Sequence, residues 1–161
     1  MKRHLGKTTI AVLVFIILLV VAGYSRAGDG FRISVGQSVF NSHLMVGEVG
    51  YEINNWEFNA ATLETGNTKN GNQDQLWIFS TSYLTKPQNF RTDWAQPFLR
   101  LGVSYNDGST LIGDTNFRLG AGVDFSDVWR VEYSHHSSAG IHSPNTGLDY
   151  ITVTYKMPNM W

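Results

Sequence analysis

Three side chains in the last third of this chain are of the types that cleave esters: His135, Ser137 and Asp149. A histidine can take the proton of a serine hydroxyl, and a carboxylate can hold the imidazole in the tautomer that does so. His135 and Ser137 stand two residues apart, and on a β-strand such a pair points to one face. The pair His136 and Ser138 has the same spacing, so parity must decide between them. His135 and Ser137 share the parity of Trp129, Val131 and Tyr133, whereas His136 goes with Arg130 and Glu132. Beyond a turn at Asn145, Thr146 and Gly147, Asp149 shares the parity of Ile151, Val153 and Tyr155. The spacing therefore predicts three polar groups together on the apolar faces of two neighbouring strands.

Plainer readings exist for each residue alone. A single histidine on a strand usually packs, and Asp149 can cap the turn before it. His135, His136 and His142 can be drawn as a metal site, but its ligands would have to converge from alternate faces. The parity shared by three residues favours the hydrolytic set, which needs no metal and no cofactor.

The elements that must position this set read as strands. Alternation of apolar with polar or small residues is plain at Phe117, Leu119, Ala121, Val123 and Phe125. It recurs at Leu99, Leu101, Val103 and Tyr105, at Phe31, Ile33 and Val35, and at Trp56, Phe58 and Ala60. Met45, Gly47, Val49 and Tyr51 make a looser strand. Leu76, Trp77, Ile78, Phe79, Tyr83 and Leu84 are apolar on both parities, so no face is assigned to them. Eight strands are expected, at 30–40, 43–53, 55–65, 74–85, 93–106, 115–125, 127–139 and 148–161. Long connections at 66–74, 106–114 and 140–147 are placed at the outer end. Short turns near Asn54 and Asn55 and near Phe125, Ser126 and Asp127 are placed at the inner end. The first outer connection, near Asn41 and Ser42, is short, and the inner one at 86–92 is long.

Composition points to a membrane. Charged residues make up 16% of the 161 residues, below the roughly one quarter usual in soluble domains. Lys2, Arg3 and Lys7 precede an apolar run at 9–23, and Ser25, Arg26 and Ala27 form a small-x-small cleavage pattern. Residues 1–27 are expected to be a cleavable signal peptide and 28–161 the barrel. With no later run long enough for a spanning helix, the mature chain can cross a bilayer only as a closed barrel. The fold class expected is thus all-β, an eight-stranded antiparallel transmembrane β-barrel. Its apolar parity, rich in Trp, Tyr and Phe, faces lipid, and Arg100, Arg118, Asp124, Arg130 and Glu132 fill the lumen. Trp161 at the chain end resembles a barrel assembly signal. A formal net charge of -1 gives no basic surface for nucleic acid, and the absence of cysteine excludes disulfides and thiolate chemistry. A site on the outer wall of a barrel, at the height of the outer leaflet, reaches a lipid.

The segment from His135 to Tyr155 resembles the signature of the PagL family of outer-membrane lipid A 3-O-deacylases. His135 and Ser137 match that family's base and nucleophile, and Pro144, Asn145 and Gly147 match its turn. Asp149 stands where the family has a Glu that orients the histidine, and Ser138 where it has an Asn. The resemblance implies an eight-stranded barrel in the bacterial outer membrane with its site facing the outer leaflet. It implies a serine esterase acting on the 3-O-linked acyl chain of lipid A in lipopolysaccharide. It also implies Asn145 as an oxyanion donor. Backbone N–H groups near Ala139 and Gly140 are further candidates, since the missing Cβ of Gly140 allows close approach, and Ser138 is a candidate for support. A homodimer is left open.

Two other readings compete. A small barrel with a structural or adhesive role would carry the motif as a relic, and a long gap between the Asp149 carboxylate and His135 would favour it. A soluble barrel binding an apolar ligand would need an apolar interior, and inward-pointing Arg100, Arg118 and Arg130 would exclude it.

Overall fold

The computed structural model describes residues 29–157, apart from 127, 142 and 144. The expected signal peptide, the chain end with Trp161, and His142 and Pro144 lie outside the described residues.

Eight strands close into one antiparallel barrel. They are β1 (Gly30–Val39), β2 (Met45–Ile53), β3 (Trp56–Leu63), β6 (Leu76–Thr85), β7 (Ala95–Asn106), β8 (Thr115–Phe125), β9 (Trp129–Ser137) and β10 (Leu148–Lys156). β4 (Gly66–Thr68) and β5 (Gly71–Gln73) form a small hairpin in the connection between β3 and β6, which was expected to be loop. Each barrel strand pairs with its sequence neighbour in the wall, and β1 closes the ring against β10. Closure leaves no strand edge unpaired, as hydrocarbon demands.

The two faces of the wall separate chemically. Ile33, Val35, Leu99, Leu101, Val103, Leu119, Ile151 and Val153 are exposed on the outside. Near the inner end Trp56 meets Tyr83 and Trp129 meets Tyr155 edge-on, a pattern matching an interfacial aromatic girdle. Tyr51 departs from its expected exposure. It is buried, with Phe31 edge-on at 4.9 Å.

Inside, Arg100, Arg118, Asp124, Arg130 and Glu132 are all buried, as their parity predicted. Arg32, Glu48, Glu52 and Glu57 join them. Glu57 is the hub: Arg130 Nη1 lies at 2.7 Å, Arg100 Nη2 at 2.8 Å and Arg32 Nε at 3.3 Å. Arg118 pairs with Glu48 at 3.1 Å, and Arg130 with Asp124 at 2.6 Å. These inward arginines exclude the soluble barrel with an apolar interior.

Towards the outer mouth the interior turns apolar. Leu111 and Ile112, from the connection between β7 and β8, fold into the mouth and are almost fully buried. They join Leu44, Val46, Leu63, Leu76, Ile78, Leu148 and Tyr150 in one cluster. This settles the face of β6, on which Leu76, Ile78 and Leu84 point inward and Trp77 and Tyr83 outward.

The turns follow the local sequence. Asn54 and Asn55 both adopt positive φ, of 49° and 69°, which a tight two-residue hairpin turn requires and asparagine tolerates. The long inner connection contains a single 3-10 turn, Gln88–Phe90.

Candidate active site

The antiparallel register of β9 and β10 sets Asp149 directly opposite His135. Directly opposed side chains in such a pair have Cβ atoms about 5 Å apart, so the short arm of an aspartate suffices. His135 Nδ1 lies 2.7 Å from Asp149 Oδ1. The carboxylate can only accept, so Nδ1 carries the proton and Nε2 of the neutral ring is left as the base. The long gap that would favour a relic motif is therefore not there. Asp149 is buried although it sits on the lipid-side parity, and the His135 side chain is 35% exposed.

Ser137 follows on the same face, with Phe117 of β8 beside it and Leu119 beside His135. Both neighbours are exposed, so the serine and imidazole open onto an apolar wall. The Ser137 hydroxyl donates to Asn145 Oδ1 at 3.0 Å, and Ala139 N–H donates to Ser137 Oγ at 3.2 Å. Asn145 Oδ1 also accepts from Ser138 N–H at 2.9 Å and from Ser138 Oγ at 3.0 Å. Ser138 thus anchors the amide oxygen of Asn145 twice from the lumen side. Asn145 is exposed, and among the described residues its side-chain bonds fall on Oδ1, which leaves Nδ2 as a donor. Gly140 has φ of +80°, and among the described residues no atom lies within 4 Å of where a Cβ would stand. What glycine supplies there is the left-handed backbone, with open space in front of it.

His136 takes the other side of the wall. It is fully buried, with Nδ1 2.8 Å from Ser104 Oγ and Nε2 2.8 Å from the Tyr150 hydroxyl. The two adjacent histidines face opposite ways, which does not suit ligation of one ion.

Tyr133 of β9 and residues of the outer connections complete the site. The Tyr133 hydroxyl donates to Asp149 Oδ1, the oxygen that also meets His135. Gly147, with φ of +89°, lies so close that a Cβ there would come within 3.0 Å of His135 Cε1. Asn41 Nδ2 donates to the carbonyls of Thr146 at 2.9 Å and Gly147 at 3.1 Å. Asn70 Nδ2 reaches Thr146 Oγ1 at 2.6 Å, and Thr146 N–H bonds to Leu111 O at 2.7 Å. Three outer connections thus fix the turn that carries Asn145 and Gly147. Tyr133 was within reach of the parity rule, standing two residues before His135 on its face. Asn41 and Asn70 carry no such signal, because only the folded connections bring them there.

The fold is that of an outer-membrane β-barrel, and on its apolar outer wall stand the polar side chains His135 and Ser137, with Asp149 behind the imidazole. The family model described as Lipid A 3-O-deacylase (PagL) matches residues 42–158, and the chain belongs to that family. A curated relative, the lipid A deacylase PagL of Pseudomonas aeruginosa, is 32% identical over 80 residues. That alignment covers 43% of this chain and 46% of the relative, so it spans less than half of the relative's length. The crystal structure of the outer membrane enzyme PagL superposes with a TM-score of 0.57 at 22% identity. It covers 80% of this chain and 99% of that one, a likeness of fold.

Proposed function

We propose that this protein is an outer-membrane serine esterase that hydrolyses the 3-O-linked acyl ester of lipid A. The observation that carries the reading is the His135–Asp149 pair, closed at 2.7 Å beside Ser137 on the lipid-facing side of the wall. An unpartnered polar group in hydrocarbon costs several kcal/mol, so three polar groups gathered there and held by partners of their own call for a use.

In this mechanism the entering ester draws the Ser137 hydroxyl from Asn145 towards His135. His135 Nε2 takes the hydroxyl proton as Ser137 Oγ attacks the ester carbonyl. Asp149 stabilises the imidazolium that forms. Asn145 Nδ2 and the N–H of Gly140 supply hydrogen bonds to the oxyanion, and Ser138 holds Asn145 in place. The intermediate collapses as the imidazolium protonates the departing sugar oxygen, leaving an acyl-enzyme. Water, deprotonated by His135, then releases the fatty acid and restores Ser137. The chemistry uses side chains and backbone alone.

Residues 1–27 serve as the export signal in this reading, removed after Ala27. The proposal extends to paired copies in the bilayer, since two apolar walls match in chemistry. Sedimentation in detergent micelles reads this, and the mass of a single copy would count against pairing. For the reaction itself, purified wild type should release a hydroxy fatty acid from lipid A and Ser137→Ala should not. Equal release by both would overturn the assignment of the nucleophile.

A further inference from the structure

We infer that Tyr133 is a positioning residue for the Asp149 carboxylate and, through it, for the imidazole of His135; this rests on the hydrolase reading above. Tyr133 stands two residues before His135 on the same face of β9, opposite Ile151 of β10. Asp149 is therefore its diagonal neighbour, within the reach of a long aromatic side chain. The Tyr133 hydroxyl donates to Asp149 Oδ1, and the imidazole Nδ1–H arrives at the same oxygen from the opposing strand.

One hydrogen bond does not fix a carboxylate. The torsion that turns an aspartate's carboxyl group is broad and roughly two-fold, so either oxygen can face the ring. A second donor on the same oxygen selects that oxygen and holds its direction. On the far side the Gly147 turn closes on Oδ2, and a Cβ there would stand 3.5 Å from it. The carboxylate is held between a hydroxyl and a backbone turn. Tyr133 is itself exposed on the lipid face next to Val131 and Ile151, where phenylalanine would meet the apolar demand equally well. Its hydroxyl turns back into the wall and serves Asp149. Charge-assisted hydrogen bonds of this kind are the strong ones, and they hold a carboxylate in one orientation.

The test uses full-length Tyr133→Phe in detergent micelles with lipid A, after gel mobility before heating has shown a folded barrel. The expected result is a kcat lowered roughly tenfold, the size of one lost hydrogen bond to a charged group, with KM unchanged. Because Tyr133 acts only through the carboxylate, Tyr133→Phe should add nothing to Asp149→Asn. Proton NMR gives an arm independent of turnover. The wild type should show a downfield Nδ1–H signal, absent in His135→Ala and weakened in Tyr133→Phe. A wild-type kcat in Tyr133→Phe, a further tenfold loss on the Asp149→Asn background, or an unchanged Nδ1–H signal would overturn the inference. If wild type releases no acid from lipid A, the deacylase reading fails, and the NMR arm still decides the role of Tyr133.

Discussion

Asp149 and His135 face each other across the β9–β10 pair, with Asp149 Oδ1 2.7 Å from His135 Nδ1. This relationship sets the tautomer, and with it which nitrogen is left to act as base. Asp149→Asn keeps the size of the side chain but presents a mixed donor and acceptor. We expect kcat to fall by roughly a thousandfold or more with little change in KM, from loss of the correct tautomer. Steady-state kinetics on lipid A in mixed micelles measure it, and a loss confined to KM would contradict the assignment.

Asn145 has separable functions at its two ends. Its Oδ1 accepts from Ser137 and twice from Ser138, while Nδ2 is the donor assigned to the oxyanion. Asn145→Asp retains an acceptor for all three bonds and removes the donor. The turn should stay folded, and kcat should fall by about a hundredfold or more, the usual cost of one oxyanion donor. Full activity in Asn145→Asp would remove Nδ2 from the mechanism.

Gly147 is constrained both by backbone and by space. Alanine there must adopt φ near +89° and bring its Cβ to 3.0 Å from His135 Cε1. The backbone strain is about 1–2 kcal/mol, small against the stability of a closed barrel. Pressure on the imidazole should show chiefly in kcat. Gly147→Ala is expected to keep a melting temperature within a few degrees of wild type while kcat drops about tenfold or more, since small misplacements of a catalytic group are costly. A large loss of melting temperature with kcat intact would reverse this reading.

Glu57 tests the interior independently of the site. It contacts Arg32, Arg100 and Arg130, all deeply buried. Removing the carboxylate leaves three cations short of a partner, and breaking a buried pair typically costs about 3–5 kcal/mol. Glu57→Ala should lower the urea midpoint for unfolding from lipid vesicles by a corresponding amount. An unchanged midpoint would mean that the remaining carboxylates absorb the loss.

Much of this molecule was legible because a lipid-embedded barrel forces a chemical difference between the sides of each strand. Phe117, Leu119 and Phe125 alternate with Asn116, Arg118 and Asp124 for that reason, and the same rule placed His135 outside and His136 inside. The rule lost its force where both sides are apolar. Leu76 and Ile78 of β6 face the lumen, but there the lumen is packed with Leu111 and Ile112 rather than charges. Those two residues sit between Asn106 and Asp114 in what reads as an exposed loop, and nothing local says that they fold into the mouth. The β4–β5 hairpin was hidden because its three-residue strands of Gly, Asn, Thr and Gln carry no apolar alternation. At the site, parity found His135, Ser137 and Asp149. The motif also pointed to Ser138 as support, and it braces Asn145 from seven residues away. The bracing of Thr146 by Asn41 and Asn70 arises only when distant connections meet.

Mass spectrometry of lipid A tests the central claim most directly. Lipid A is extracted from cells producing wild-type protein or Ser137→Ala at equal levels in the outer membrane. Wild type should give a product lighter by one hydroxyacyl group from the 3-position, and Ser137→Ala should leave lipid A intact. Identical spectra from the two, whether both shifted or both unchanged, would contradict an esterase built on His135, Ser137 and Asp149.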